Sequence, residues 1–321
     1  MKKESAKACP YTSIGGQALI EGIMMRGPKL SAMAVRDPDG KIVLEVNETP
    51  KLIGGKLAKI PFVRGIFSFV SSISAGYTYL MRSADIAIPE EAAADREKSE
   101  KRGKILNGIM MGASLVLSLV ICFGLFLYLP TFLFSLLSRA VPELDHRLWR
   151  SVFEGVLRIF IFVGYLFFML FFKDIRRTFS YHGAEHKTIF CYERGLPLTV
   201  ENVRAQSRFH PRCGTSFMIL MLLVGIIIGL FIPLEQPLLR TLIKLALLPL
   251  TMGIGYELIK FAGKHDNILT RIVSAPGVAL QHLTTREPDD GMIECAILAF
   301  REVLPEGDPA RTEEKDISET K

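Results

Sequence analysis

Between Ile105 and Leu137 the chain carries no Asp, Glu, Lys or Arg. A helix needs roughly 20 apolar residues to cross a bilayer, and this run exceeds that. Hydrocarbon offers no hydrogen bonds to the backbone, so a long apolar segment is stable there as a helix, which satisfies its own amides. Three shorter runs follow, Val156 to Phe172, Phe217 to Pro233 and Leu245 to Phe261, nearer the lower end of the spanning range. Together they predict a mainly α, polytopic helical membrane protein with about four transmembrane helices.

Charge then orients the runs. Lys173, Arg176 and Arg177 follow the second run, and the loop 173–213 adds Lys187, Arg194, Arg204, Arg208 and Arg212. Lys101, Arg102 and Lys104 precede the first run, and Lys264 and Arg271 follow the fourth. Arg139, Arg147 and Arg150 in the loop 138–151 weaken the contrast, whereas 234–239 holds no Lys or Arg. The positive-inside rule therefore predicts a multi-pass protein of the plasma or inner membrane, with both termini and the loop 173–213 in the cytoplasm. The same asymmetry accounts for the net charge of +6 without a nucleic-acid partner. Lys2 and Lys3 are followed by no apolar stretch, so no secretory leader is expected. The five cysteines are scattered without paired spacing, which argues against a disulfide framework.

Six segments follow. Residues 1–56 read as a β-rich cytoplasmic segment. Gly15-Gly16 and Gly27-Pro28 bracket a strand over Gln17–Arg26, and Asp39-Gly40 is a hairpin turn between Ala32–Arg36 and Lys41–Val46. Residues 57–104 combine an interrupted apolar stretch, read as interfacial, re-entrant or a buried soluble helix, with a charged linker over 90–104. Residues 105–172 hold the first two spans and 173–213 a cytoplasmic loop. In that loop Ser180 as N-cap and Gly195 as C′ predict a helix near 181–194, and Thr199 caps a second, short one. Residues 214–262 hold the last two spans. Residues 263–321 hold C-terminal helices and a polar tail after Pro305 read as disordered. Asp266 can cap a helix interrupted by Pro276-Gly277, and Asp290 another in which Ile293, Ala296, Ile297 and Phe300 recur at helical spacing.

Within the loop 173–213 lies His182-Gly-Ala-Glu-His186. On a helix, positions 182, 185 and 186 share a face. Two imidazoles and a carboxylate at H-x-x-E-H spacing suit a zinc site in which both His bind a divalent metal and Glu185 activates water. A third ligand is then needed. Glu257 is the leading candidate, because a carboxylate inside an apolar run is costly and usually has a partner. It can equally pair with Lys260 or with a basic loop residue. His210 and Cys213, three apart before the third run, and Asp266 after the fourth are reserve ligands. Cys213 can also be a small packing residue, and His210 can simply anchor the turn before Pro211. A lone H-x-x-E-H is often incidental; convergence of donors at the cytoplasmic ends of the runs is what raises it.

Gly15-Gly-Gln-Ala-Leu-Ile-Glu-Gly-Ile-Met-Met-Arg-Gly-Pro28, Tyr181-His-Gly-Ala-Glu-His186, His210-Pro-Arg-Cys-Gly-Thr215 and Tyr256-Glu257 together resemble the YqhQ family. This is a bacterial membrane-protein family of unknown function, often described as predicted metal-dependent enzymes. The resemblance runs from about Ile14 to Leu304. It implies a membrane location and metal-dependent activity carried by the same His and Glu residues, and so adds no independent mechanism.

The expected function is a membrane-embedded, zinc-type hydrolase acting on a membrane-associated substrate, with Glu185 catalytic and His182, His186, Glu257, His210 and Cys213 as metal ligands or reserves. The lipid bilayer is the expected partner, and self-association stays open. The rival class is a scaffold, transporter or channel component with a structural metal or an ion-sensing Glu257; His210 and Cys213 completing the shell would favour it.

Overall fold

A computed structural model describes residues 12–49, 60–88, 109–110, 112–211, 213–262 and 268–312. The sequence reading of the linker 90–104, of Asp266 and of the last nine residues falls outside these. The chain is mainly helical, with one N-terminal antiparallel sheet.

The sheet is a meander of β1 (Gly15–Leu19), β2 (Gly22–Arg26), β3 (Leu30–Arg36) and β4 (Ile42–Glu48). The expected single strand over Gln17–Arg26 is instead a hairpin. Leu19 pairs with Gly22, and Ile20-Glu21 form the turn, Glu21 taking a φ of 49°. Gly22 permits this because a Cβ there would come within 2.4 Å of the Ala34 carbonyl on β3. The Asp39-Gly40 hairpin forms as expected, with Gly40 at φ 85°.

Strict alternation sends side chains to two cores. Ile23, Met25, Ala32 and Ala34 face one side, and Met24, Met33 and Val35 the other. The second side is covered by α1 (Val63–Ala87) through Tyr79, Ala75 and Leu80. The first is covered by α4 (Lys173–Glu193) and α10 (Asp290–Val303). Ile293, Ala296, Ile297 and Phe300 of α10 are fully buried, as their spacing predicts. Its N-cap is Asp289, which accepts from the Met292 amide, and not Asp290. After α10, Asp308 accepts from the Tyr192 hydroxyl, Arg311 donates to the Leu304 carbonyl, and Ala310 packs on the core. The segment up to Thr312, expected to be disordered, is therefore a docked turn with the short α11 (Pro309–Thr312).

Among the described residues, two helices are long and apolar enough to cross a membrane, α2 (Gly112–Ala140) and α3 (Arg147–Met169). Four were expected. Thr199 caps the short α5 (Val200–Arg204) as expected, and the third run forms α6 (Gly214–Leu230), whose 17 residues span about 26 Å at 1.5 Å per residue, short of a hydrocarbon core of about 30 Å. The fourth run is split: α7 (Pro237–Ala246) and α8 (Leu248–Ala262) meet at a 50° bend. Pro249 explains the break, since its ring cannot follow a preceding helical turn. Counted as one broken span, this pair is a third candidate by length and composition. Pro276, expected to interrupt the next helix, lies inside α9 (Ile268–Thr284).

Helix α3 packs against α6. Arg150 near the start of α3 donates to the Glu235 carbonyl beyond the end of α6. The opposite end of the pair therefore gathers the end of α3, the start of α4 and the start of α6.

Candidate metal centre

Helix α4 begins at Lys173, eight residues before the expected start. Ser180, read as the N-cap, is interior and donates to the Arg176 carbonyl. Its C-terminus is as expected: Gly195 takes φ 66°, with the Leu196 amide bonded to the Cys191 carbonyl and the Gly195 amide to that of Tyr192. The middle of α4, Gly183 to Ile189, is buried throughout. Small residues allow this: a Cβ on Gly183 would lie 2.0 Å from the Arg286 carbonyl.

Every polar group on that buried stretch therefore needs a partner. His182 Nδ1 lies 2.8 Å from the Thr284 carbonyl, and His186 Nδ1 lies 2.5 Å from the Arg208 carbonyl. A carbonyl only accepts, so each Nδ1 carries a proton, and in the neutral ring Nε2 then presents its lone pair. The two rings sit 4.4 Å apart. His182 Nε2 is 3.1 Å from Cys213 Sγ. His186 Nε2 is buried and makes no hydrogen bond of ordinary geometry. Cys213 is the N-cap of α6, and its sulfur also accepts from the amide and hydroxyl of Thr215.

His182, His186 and Cys213 thus converge, with one ligand atom from each within 4.8 Å of the others. Ligands of a tetrahedral zinc sit roughly 3.3–3.8 Å apart, given bonds of about 2.0–2.3 Å. Carbonyl-anchored imidazoles are the usual outer shell of such sites.

Glu185 lies on the same buried face of α4, and its Oε1 accepts from the Gly16 amide at 2.8 Å. Burial raises its carboxyl above the ordinary range, while His182 and the Gly16 amide pull the other way. Burial likewise makes His186 less basic, against the opposing pull of Cys213 and the Arg208 carbonyl. Gly16 must be glycine, because a Cβ would press within 2.9 Å of the Glu185 carboxyl carbon and 2.8 Å of the Met24 carbonyl. A cavity of about 250 Å³ opens onto Glu185, His186 and Cys213, with Gly16, Glu193 and His210 on its walls.

The remaining sequence candidates fall differently. His210 shares this cavity, its ring 5.6 Å from His186, but its Nε2 faces Glu193 at 3.6 Å and its backbone is clasped by the Gln281 side chain. Glu257 is not among the converging residues. Arg64 of α1 holds both its oxygens, and the Phe62 amide approaches one of them. Its neighbourhood is a helix crossing: a Cβ on Gly65 would meet Tyr256 at 2.7 Å, and one on Gly253 would meet Phe62 at 2.9 Å. The Tyr256-Glu257 pair docks α1 onto α8. Deeper in the bundle, Glu154 bonds Arg240 and Lys244, while Arg158 Nε donates to the Phe126 carbonyl, in a π-helical turn.

Three backbone contributors were absent from the sequence reading. The Thr284 and Arg208 carbonyls and the Gly16 amide are backbone groups that no residue type betrays. For Cys213 the usable signal was its place immediately before an apolar helix, at the same end of the bundle as α4.

Residues 60–306 match the family model described as protein of unknown function (DUF1385). The chain belongs to this family. It is 35% identical over 300 residues to the uncharacterized protein YqhQ of Bacillus subtilis (strain 168), covering 90% of this chain and 92% of that one. No solved structure matches the chain.

Proposed function

We propose that the protein is a membrane-associated, metal-dependent hydrolase whose metal is held by His182, His186 and Cys213, with Glu185 as the base that activates water. The carrying observation is the pair of imidazoles fixed through Nδ1 so that both Nε2 atoms face one cysteine sulfur. Three protein ligands leave a fourth position for water or substrate, the pattern of catalytic rather than structural zinc. His210, the residue that would close a structural site, is turned toward Glu193. A buried carboxyl with a raised pKa beside the ligands suits proton transfer. When bound, the metal would polarise water or a carbonyl oxygen; the chain's own part is to fix both imidazoles, seat the base on Gly16 and wall the cavity. Helices α2 and α3 support a bilayer location, and the basic residues around α4 support placing the cluster on the cytoplasmic face.

Bound metal measured on the purified full-length protein tests this. Near-stoichiometric zinc is expected in wild type and in Glu185→Gln, and little in His182→Ala or Cys213→Ala. Full occupancy after either ligand substitution would overturn the site. Retained hydrolysis of a candidate substrate by Glu185→Gln would overturn the role of the base.

A further inference from the structure

A second and larger cleft, of about 660 Å³, lies against the first turns of α4. Its walls carry Lys173, Arg176 and Arg177 from α4, Arg208 from the loop before α6, and Arg286 from the loop after α9. Glu287 and Asp289 are the acids in the wall. They do not balance the cations. Arg177 is bonded through two nitrogens to Glu21 of the β1–β2 turn. Glu287 is taken by Lys187 at 2.8 Å, with Arg208 at 3.9 Å. Asp289 caps α10. Lys173, Arg176 and Arg286 have no acidic partner among the described residues, yet face one space. Like charges gathered in a concave site raise the local concentration of an anion, and guanidinium groups match phosphate oxygens in geometry.

Position narrows the anion. Lys173 lies four residues past Met169, the end of the candidate span α3, and Phe171 and Phe172 between them are 68% and 48% exposed. An exposed apolar stretch that runs straight into cations is the usual pattern where a span leaves the hydrocarbon for anionic headgroups. The cleft also shares its loops with the metal centre. Arg208 contributes a side chain to the cleft and its carbonyl to His186; Arg286 lines the cleft two residues after Thr284, whose carbonyl holds His182.

We propose that this cleft binds the phosphate of an anionic, membrane-anchored headgroup. This goes beyond the metal reading and does not depend on it. The test is binding of short-chain phosphatidylglycerol to the full-length protein in detergent, with short-chain phosphatidylcholine and inorganic phosphate as the other probes. Phosphatidylglycerol should bind best. Arg176→Gln with Arg286→Gln should weaken it on the order of tenfold, as expected for losing two charge-assisted contacts. Arg176→Lys with Arg286→Lys should restore much of the loss, which separates charge from folding. Removing bound metal with a chelator should leave lipid binding unchanged, so that failure of the metal centre leaves this result readable. Equal binding by wild type and the double Gln variant would overturn the proposal, as would an equal loss on Arg139→Gln at the other end of the bundle. Phosphate binding as tight as the lipid would overturn the membrane-anchored source.

Discussion

Two regions of this molecule bury charged or titratable side chains, and they do so in opposite ways. Inside the bundle, Arg240 is 1% exposed and spends its guanidinium completely, on Glu154, Ser151 and the carbonyls of Gly229, Ile232 and Leu234. Lys244 joins it on Glu154 and also reaches Thr131. That cluster ties the end of α6 to α3 and α7. At the α4 end, each His is anchored by one nitrogen and keeps the other directed at a shared sulfur beside a cavity. Saturation marks the first as a clamp. Incomplete, convergent coordination marks the second as a site. Buried polarity alone does not separate structure from function, nor does a left-over valence, since Arg158 Nη2 in the bundle is also buried without a partner; what distinguishes the site is that its free valences converge.

The contrast is broken most easily by stability. Glu154→Ala leaves Arg240 and Lys244 buried without their carboxylate and should cost about 3–5 kcal/mol, the usual penalty for removing one partner of a buried pair. His186→Ala leaves a carbonyl unpaired and should cost only about 1–3 kcal/mol in metal-free protein. Thermal unfolding in one detergent compares them; equal losses would make the His pair structural and remove the distinction.

Next in size is Gly183→Ala. The added Cβ would meet the Arg286 carbonyl at 2.0 Å and displace the turn that also carries Thr284. Zinc affinity should fall about 10–100-fold, as for other outer-shell changes. Competition with a chelator of known affinity measures it, and wild-type affinity would show that the turn does not orient His182.

How far the sequence foretold these regions depends on the range of the interaction. His182, Glu185 and His186 were legible because their grouping follows from helical spacing alone. The hydrophobic period of α10 and the turn at Asp39-Gly40 were legible for the same local reason. Cys213 was named as a reserve ligand but ranked behind Glu257. A carboxylate in an apolar run demands a partner, and sequence alone does not say whether that partner is a metal or an arginine some 190 residues earlier. The start of α4 was misplaced because Ser180 has the composition of a cap, whereas the helix begins where the turn after α3 ends, at Phe172, which has no capping side chain. The span count was legible only in part: two or three candidate spans stand where four were read, because the third run makes a helix of only 17 residues and Pro249 bends the fourth.

Smaller effects sharpen the picture. Glu257→Gln should leave zinc affinity unchanged and only modestly loosen α1, since its pair with Arg64 is partly exposed. A large fall in zinc content would restore Glu257 to the site. In thiol labelling, Cys295 should stay unreactive, its thiol buried and pushed up to about 11 mainly by desolvation. Cys213, which lines the cavity, should be labelled slowly in metal-free protein and protected by zinc, scored on a background with Cys9 and Cys122 replaced by Ser. Protection of Cys295 but not Cys213 by zinc would contradict the ligand set.

The most direct measurement is optical. Cobalt(II) substituted into the full-length protein should give the sulfur-to-cobalt charge-transfer absorption of a thiolate ligand. The band should be present in wild type, Glu185→Gln and Glu257→Gln, and absent in Cys213→Ala. Cobalt bound without that band, or a band that survives Cys213→Ala, would contradict a centre built from His182, His186 and Cys213.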